Sequence, residues 1–212
     1  MSRPLIVCDC DEVLLHMVRH FSDWLNAEHG IAFELNGNPF LQSMTRPGNP
    51  EPLTPEDVWA LLGGFFDTQM DRQVPIAGAV EAVAALQEAA DFVILTNLND
   101  ERNAARCEQL RKVGIEVPVF TNQGPKGGTL KAIAQERGAN RVVFIDDIAS
   151  HHSSALDHLP QSIRLQFCGE PAIAPHIPCA LDAGHASARI DNWAQALPWV
   201  LAAIEGEDHH AD

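Results

Sequence analysis

Apolar and polar residues recur along this chain with two different periods, and the changes of period divide it. Leu5-Ile-Val-Cys has no polar alternation and predicts a short buried strand over 5–9. From Leu14 the spacing turns helical: Met17, Phe21, Trp24, Leu25 and Glu28 fall in register, with Gly30 as the stop. Residues 36–55 are rich in Pro, Gly and Asn and read as loop. Thr54-Pro55-Glu56-Asp57 then offers a hydroxyl cap, a first-turn proline and two acids at the positive end of a helix dipole. That helix is expected to run to about Gly63-Gly64, with a second short one over 65–72.

From Pro75 the elements become regular. Helices are predicted over 79–90, 100–113 (closed by Gly114), 128–137 (closed by Gly138) and 150–159, with strands over 92–96, 117–120, 141–146 and 163–167. A last helix over 193–204 contains Pro198 and should kink or restart there. The acidic, His-containing end, 205–212, is expected to be disordered. Strands alternating with helices make this an α/β chain with a parallel sheet covered on both faces. Residues 15–74 are too long for an ordinary crossover and carry their own helices, so they predict an inserted domain within a core of 1–14 and 75–212.

Composition adjusts this picture in three ways. The chain has 14 basic and 29 acidic residues among 212, a net charge of −15. Such a field repels nucleic acid, so no nucleic-acid partner is expected, and any phosphate site would need local cations or a metal. No apolar run approaches the ~18 residues that cross a bilayer, and Asp9 and Asp11 interrupt the first apolar stretch too early for a signal peptide. A cytoplasmic protein with no membrane partner is the expectation. Five cysteines, with no C-x-x-C pair, read as reduced thiols. Cys10, inside the acidic stretch, is the one that could be oxidation-sensitive.

Four features lie at or near strand ends: Asp9-Cys-Asp11, Thr96-Asn97, Lys126 and Asp146-Asp147. In a parallel sheet those ends share one edge, so the four can converge on one crevice. Several carboxylates together call for a cation, and oxygen ligands favour a hard ion such as Mg²⁺. Lys126 supplies fixed positive charge; Thr96 and the turn after it supply donors for an anion. One carboxylate can attack phosphorus while another, two residues on, works as acid and base.

Other features support less. In Gly124-Pro-Lys-Gly-Gly-Thr the lysine precedes the glycines, which excludes a P-loop. His151 and His152 lack metal-ligand spacing and read as surface or substrate-facing imidazoles, as do His176, His185, His209 and His210. Trp24, Trp59, Phe65 and Phe66 read as core of the insertion. Arg19, His20 and Arg46 are candidate cations for a second anionic group on a substrate, each otherwise a solvated charge.

The set Asp9-Cys-Asp11-Glu-Val, Thr96, Lys126 and Asp146-Asp147 resembles the four motifs of the haloacid dehalogenase superfamily, in order. Pro75-Ile-Ala-Gly-Ala-Val is similar to the family's lead into its second motif, and 15–74 sits where the family inserts a helical cap. The resemblance implies a Rossmann-like core with a small α-helical cap. It implies Asp9 as nucleophile forming an aspartyl-phosphate, Asp11 as general acid/base, and Thr96, the Asn97 backbone and Lys126 as phosphate holders. Mg²⁺ would be held by Asp9, the Asp11 carbonyl and Asp147, with Asp146 behind them. Halide-cleaving members typically lack the second aspartate, so Asp11 favours phosphoryl transfer. The implied function is a Mg²⁺-dependent phosphatase acting on a small phosphorylated metabolite. A phosphotransferase, a mutase or a non-catalytic relative that binds a phosphate ligand or a partner stays open, and the sequence sets no oligomeric state. Glu12 departs from the family's usual glycine; Val13 is a familiar variant.

Overall fold

The computed structural model describes residues 3–35 and 39–206. The first strand, β1 (Leu5–Cys8), is buried throughout, as an unbroken apolar run should be. The inserted stretch follows with α1 (Val18–His29), β2 (Ala32–Phe33), β3 (Met44–Arg46), β4 (Asn49–Pro52) and α2 (Pro55–Gln69). The regular part then alternates α3 (Ala79–Ala89), β5 (Asp91–Thr96), α4 (Asn103–Lys112), β6 (Val119–Thr121), α5 (Gly127–Glu136), β7 (Val142–Asp146), α6 (Ala149–His158), β8 (Ile163–Gln166), β9 (Ala188–Arg189) and α7 (Trp193–Glu205).

Six strands form a parallel sheet in the order β6-β5-β1-β7-β8-β9. The chain builds outward from β1 on one side through β5 and β6, then crosses to the other side through β7. The crevice at β1 is therefore the switch point at which open α/β sheets bind ligands. Strand side chains alternate between two cores. Ile6, Cys8, Ile94 and Ile145 face α3, α4 and α7; Leu5, Val7, Val93 and Phe144 face α5 and α6. Among the described residues no helix is long and apolar enough to cross a membrane.

The inserted stretch has its own core of Phe21, Leu25, Ile31, Met44, Val58, Leu62 and Phe65. Its two connections run side by side, His16 N–H donating to Val74 O at 3.0 Å and Ile76 N–H to Leu14 O at 2.9 Å. The expectation of a purely helical insertion is corrected, because β2, β3 and β4 make a three-stranded antiparallel sheet, with β3 and β4 inside the predicted loop. Residues 36–38 of that loop lie outside the described residues. The expected break at Gly63-Gly64 is also corrected. Thr54 caps α2 as predicted, its hydroxyl oxygen accepting from Asp57 N–H, but the helix continues through both glycines to Gln69. At Gly63 a side chain would begin 3.3 Å from Arg102 Nη2, which donates to Gly63 O at 3.2 Å; at Gly64 the nearest atom, of Trp24, is at an ordinary contact distance of 3.6 Å. Trp59, expected in that core, is 61% exposed. Helix α7 runs unbroken past Pro198 and ends at Gly206 (φ 96°); the rest of the expected disordered tail lies outside the described residues.

The expected polar helix, α4, is not a solvated surface. Arg102, at its N-cap, and Arg106, Gln109 and Lys112 line one stripe against the end of the insertion, while Arg111 faces solvent. Arg102 pairs with Asp67 at 2.7 Å, Gln109 donates to Met70 O, and Lys112 pairs with Asp71 at 2.8 Å. Arg106, on the same stripe, is fully buried.

Helices α5 and α6 meet at Gly127, whose N–H donates to Ser154 Oγ at 3.0 Å. A Cβ there would lie 2.0 Å from the Ser154 carbonyl oxygen, so only glycine lets the two helices approach. Gly127→Ala is expected to lower stability by about 1–3 kcal/mol, as overpacking does. Gly128→Ala, with open space around it, should be neutral or mildly stabilising. Urea unfolding of the two variants checks this; equal midpoints would show that α5 and α6 separate freely.

Candidate active site

Strand β1 ends at Cys8, and the pairing continues one residue further, Asp9 N–H donating to Ile145 O at 2.8 Å. This sets Asp9 beside Asp146, the last residue of β7. Carboxylate oxygens of Asp9, Asp146 and Asp147 lie within 4.8 Å of one another, all buried. Lys126, the residue before α5, is completely buried, with Nζ 2.8 Å from Asp9 Oδ1 and 2.8 Å from Asp146 Oδ2. Burial alone would discharge this lysine, but Asp146 and Asp9 outweigh it and raise its pKa above the usual value.

The three carboxylates are not equivalent. Asp146 is saturated: Oδ2 takes Lys126, and Oδ1 takes the Ile148 N–H and His151 Nδ1, each at 2.9 Å. Burial opposes its charge, yet Lys126 and His151 hold its carboxyl well below the usual range. Asp9 is pushed up to about 6 by burial, relieved in part by Lys126 and worsened by Asp146. Asp147 is pushed well above its ordinary value by burial and by Asp146 and Asp9. It has no basic group within 4.0 Å among the described residues. One lysine thus faces three buried acids, and the excess charge suits a hard divalent cation with oxygen ligands. Nearby, at the end of β5, the Thr96 hydroxyl is buried and has no hydrogen-bond partner among the described residues. An orphaned donor at a sheet edge suits an anion's oxygen.

Asp11 has a different environment. Both of its oxygens accept from Arg106 Nη2, at 3.0 and 2.9 Å, and Oδ1 also accepts from Gln73 Nε2 at 2.8 Å. The loop between is tight, Leu14 and Leu15 N–H both donating to Cys10 O.

No protein-family model and no curated protein matches the sequence. Solved structures do. A haloacid dehalogenase family hydrolase from Deinococcus radiodurans, with bound phosphate and sodium, is 19% identical with a TM-score of 0.69, over 96% of this chain and 97% of that one. A haloacid dehalogenase-type hydrolase of Bacillus subtilis, bound to magnesium and described with interdomain movement, is 13% identical with a TM-score of 0.61, over 94% and 99%. An L-2-haloacid dehalogenase is 11% identical with a TM-score of 0.60, over 94% and 100%. The chain has the haloacid dehalogenase-like fold. At these identities the likeness is one of fold, and the chemistry must come from the residues.

On this haloacid dehalogenase-like core the sequence motifs meet as topology demands: Asp9, Asp146, Asp147 and Lys126 touch or adjoin, and Thr96 ends the neighbouring strand. The Asn97 side chain is tied into the 122–124 loop, donating to Gly124 O at 3.1 Å and accepting from Asn122 at 2.8 Å. The three candidate substrate cations scatter. Arg19 lines a cavity of about 320 Å³ with Phe33, Glu170, Ile173 and His176. His20 lines one of about 170 Å³ with Trp24, Phe65 and Arg72. Arg46 lies at the β3–β4 turn beside Pro47 and Gly48. None of these cavities is lined by a carboxylate of the cluster.

Two expectations are corrected. His151 and His152 are buried, not surface groups: His151 holds Asp146 Oδ1 and His152 Nε2 meets Asp146 O at 2.9 Å. Cys10 is buried, and burial pushes its thiol up, away from the reactive thiolate. Glu12, the departure from the family's usual glycine, is buried. It holds φ 60°, the left-handed conformation that favours glycine, and its Oε1 accepts from Met17 and Val18 N–H at 2.9 and 2.6 Å. It therefore caps α1, which has no side-chain cap of its own at Met17. Arg106 and Gln73 gave no sequence signal, since their meaning lies in contacts 95 and 62 residues away.

Glu12 is pushed up to about 7, first by burial, against the two N–H bonds. With Asp9 and Asp147 it makes the native state bind more protons than the unfolded chain between about pH 4.5 and 7. Burial lowers the pKa values of His16, His20 and His152, which act in the opposite sense, so the acids' share is read against Asp147→Asn: metal-free wild type is expected to lose stability relative to that variant as pH rises through the window. Mg²⁺ should raise the wild-type thermal midpoint most at the upper end. A difference between the two that stays constant with pH in EDTA would contradict the charge excess.

Proposed function

We propose that this chain is a member of the haloacid dehalogenase superfamily and a Mg²⁺-dependent phosphohydrolase acting on a small phosphorylated metabolite. Its core would be residues 1–14 and 75–212 and its cap 15–74. The observation that carries this reading is the buried Asp9–Asp146–Asp147 cluster with a single lysine. Such an excess of negative charge is costly unless a cation joins it. Displacement of halide needs neither that cation nor a proton donor, and Asp11 stands two residues from Asp9.

The residues divide the work. Asp9 Oδ1 accepts from Lys126 and from the Cys10 N–H at 2.7 Å, which leaves Oδ2 to attack phosphorus. The bond from phosphorus to the ester oxygen breaks as Asp11 gives that oxygen a proton. Asp11 then takes a proton from the water that attacks the aspartyl-phosphate, and phosphate leaves Asp9. Thr96, the Asn97 backbone and Lys126 bind the phosphoryl oxygens. Mg²⁺, held by Asp9, Asp147 and the Asp11 carbonyl, with Asp146 behind them, would neutralise charge on the phosphoryl group. Asp146, occupied by Lys126 and His151, orients the lysine. Phosphate monoesters are among the slowest esters to hydrolyse unaided, and fixed cations with a covalent relay are suited to that barrier.

Phosphate release from a panel of phosphorylated metabolites and from 4-nitrophenyl phosphate tests this. Turnover should require Mg²⁺, stop with EDTA, and fall to background in Asp9→Asn. Asp11→Asn should retain more activity on 4-nitrophenyl phosphate than on alkyl phosphates. Silence across the whole panel, or an active Asp9→Asn, would end the proposal.

A further inference from the structure

Asp11 is gripped from one side. Its side chain keeps 16% of its surface exposed, whereas the Arg106 behind it keeps none. The same guanidinium donates from Nη1 to Cys10 Sγ at 3.3 Å and Gln73 Oε1 at 3.4 Å, and lies 5.6 Å from the centre of the Phe66 ring. Gln109 Nε2, one turn along α4, holds Gln73 Oε1 at 3.2 Å. Cys10 and Asp11 belong to the nucleophile loop, Phe66 and Gln73 to the inserted stretch, and Arg106 and Gln109 to the core. Burying a guanidinium costs several kcal/mol of desolvation. An apolar residue would fill this place in α4 more cheaply, so the arginine is explained by what it orients.

We propose that Arg106 is a positioning residue: with Gln73 it holds the part-exposed Asp11 carboxylate in one orientation, and it does so fully only while the inserted stretch supplies Gln73 and Phe66. This rests on the phosphohydrolase reading above. A proton donor must lie within hydrogen-bond reach of the leaving oxygen. A free aspartate turns about two bonds; the fork of one planar guanidinium, contacting Asp11, Cys10 and Gln73 together, removes that freedom. Lysine offers a point charge without the fork.

The test is kcat/KM for a series of phenyl phosphates, from 4-nitrophenyl to 4-methoxyphenyl, in the presence of Mg²⁺. This constant reports the step in which the ester oxygen departs. 4-Nitrophenolate departs unaided, whereas 4-methoxyphenolate needs a proton. Arg106→Met is expected to lose at least about tenfold more on the methoxy ester than on the nitro ester. Arg106→Lys should recover part of the difference, and Gln73→Leu should show a smaller loss in the same sense. A purely structural role lowers every ester by one factor. That parallel fall, or an unchanged slope, in folded variants of an active enzyme overturns this inference alone. A wild type inactive on every ester and across the metabolite panel overturns the phosphohydrolase reading and this inference with it. Should circular dichroism show Arg106→Met unfolded, Gln73→Leu decides by the same criterion.

Discussion

A single ammonium, Lys126 Nζ, set between Asp9 and Asp146 with no access to solvent, is the constraint around which the site is built. A charge so placed tolerates no slack, because its desolvation is offset only while both carboxylates stay within hydrogen-bond distance. Three parts of the fold hold it there. Adjacent pairing of β1 and β7 sets the two carboxylates side by side. Gly127 lets α5 come down on α6 at backbone contact, which places the residue just before α5. His151 and the Ile148 N–H occupy the other oxygen of Asp146 and stop it from turning. Asp147 is the member of the cluster left over, and its raised pKa expresses the charge that the lysine does not balance.

Asp9 and Asp11 are near neighbours in sequence, yet each answers to its own cation. Lys126 takes the first and Arg106 the second. The tight turn after Cys10 makes this separation possible, since it carries Asp11 off the strand direction. The consequence is a division of labour. A carboxylate held by lysine among other acids can serve a metal and attack an electrophile. A carboxylate on the far side of the turn, with part of its surface open, can exchange protons with what enters the site.

Much of this was legible in the sequence, for physical reasons. Buried parallel strands read as unbroken apolar runs, and Val142–Asp146 or Phe92–Thr96 could be little else. The motif residues stand at strand ends, so the topology that any parallel sheet imposes brings them together. The parts that did not show depend on partners far along the chain. β2, β3 and β4 are two to four residues long and include prolines and a glycine turn, which locally signal loop. Gly63 and Gly64 carry a helix-breaking cost of about 1 kcal/mol each in isolation, but the Thr54 cap and the burial of Val58, Leu62 and Phe65 carry α2 through them. Arg106 sits in a helix with almost no apolar face, and nothing local distinguishes it from the solvated Arg111 one turn on. His151 and His152 read as surface because imidazole is ambiguous; only the Asp146 they hold gives them a role.

Glu12 joins these strands of reasoning. A glycine there would adopt φ 60° without strain, so a glutamate must bring something in return for roughly 1 kcal/mol of backbone cost. It brings an acceptor for the first two N–H groups of α1, worth about 1 kcal/mol as an ordinary helix cap is. The two effects nearly cancel in stability, which leaves connection as the gain. The entry of the inserted stretch is thereby bonded to residue 12, while its exit is bonded to residue 11 through Gln73 and Arg106. Both ends of the insertion converge on adjacent residues of the loop after β1, beside a neck where residues 14–16 and 74–76 already run together. A displacement of the insertion cannot leave that loop untouched. In this chain the two ends of the inserted stretch are thus joined by direct hydrogen bonds to Glu12 and to the Asp11 carboxylate.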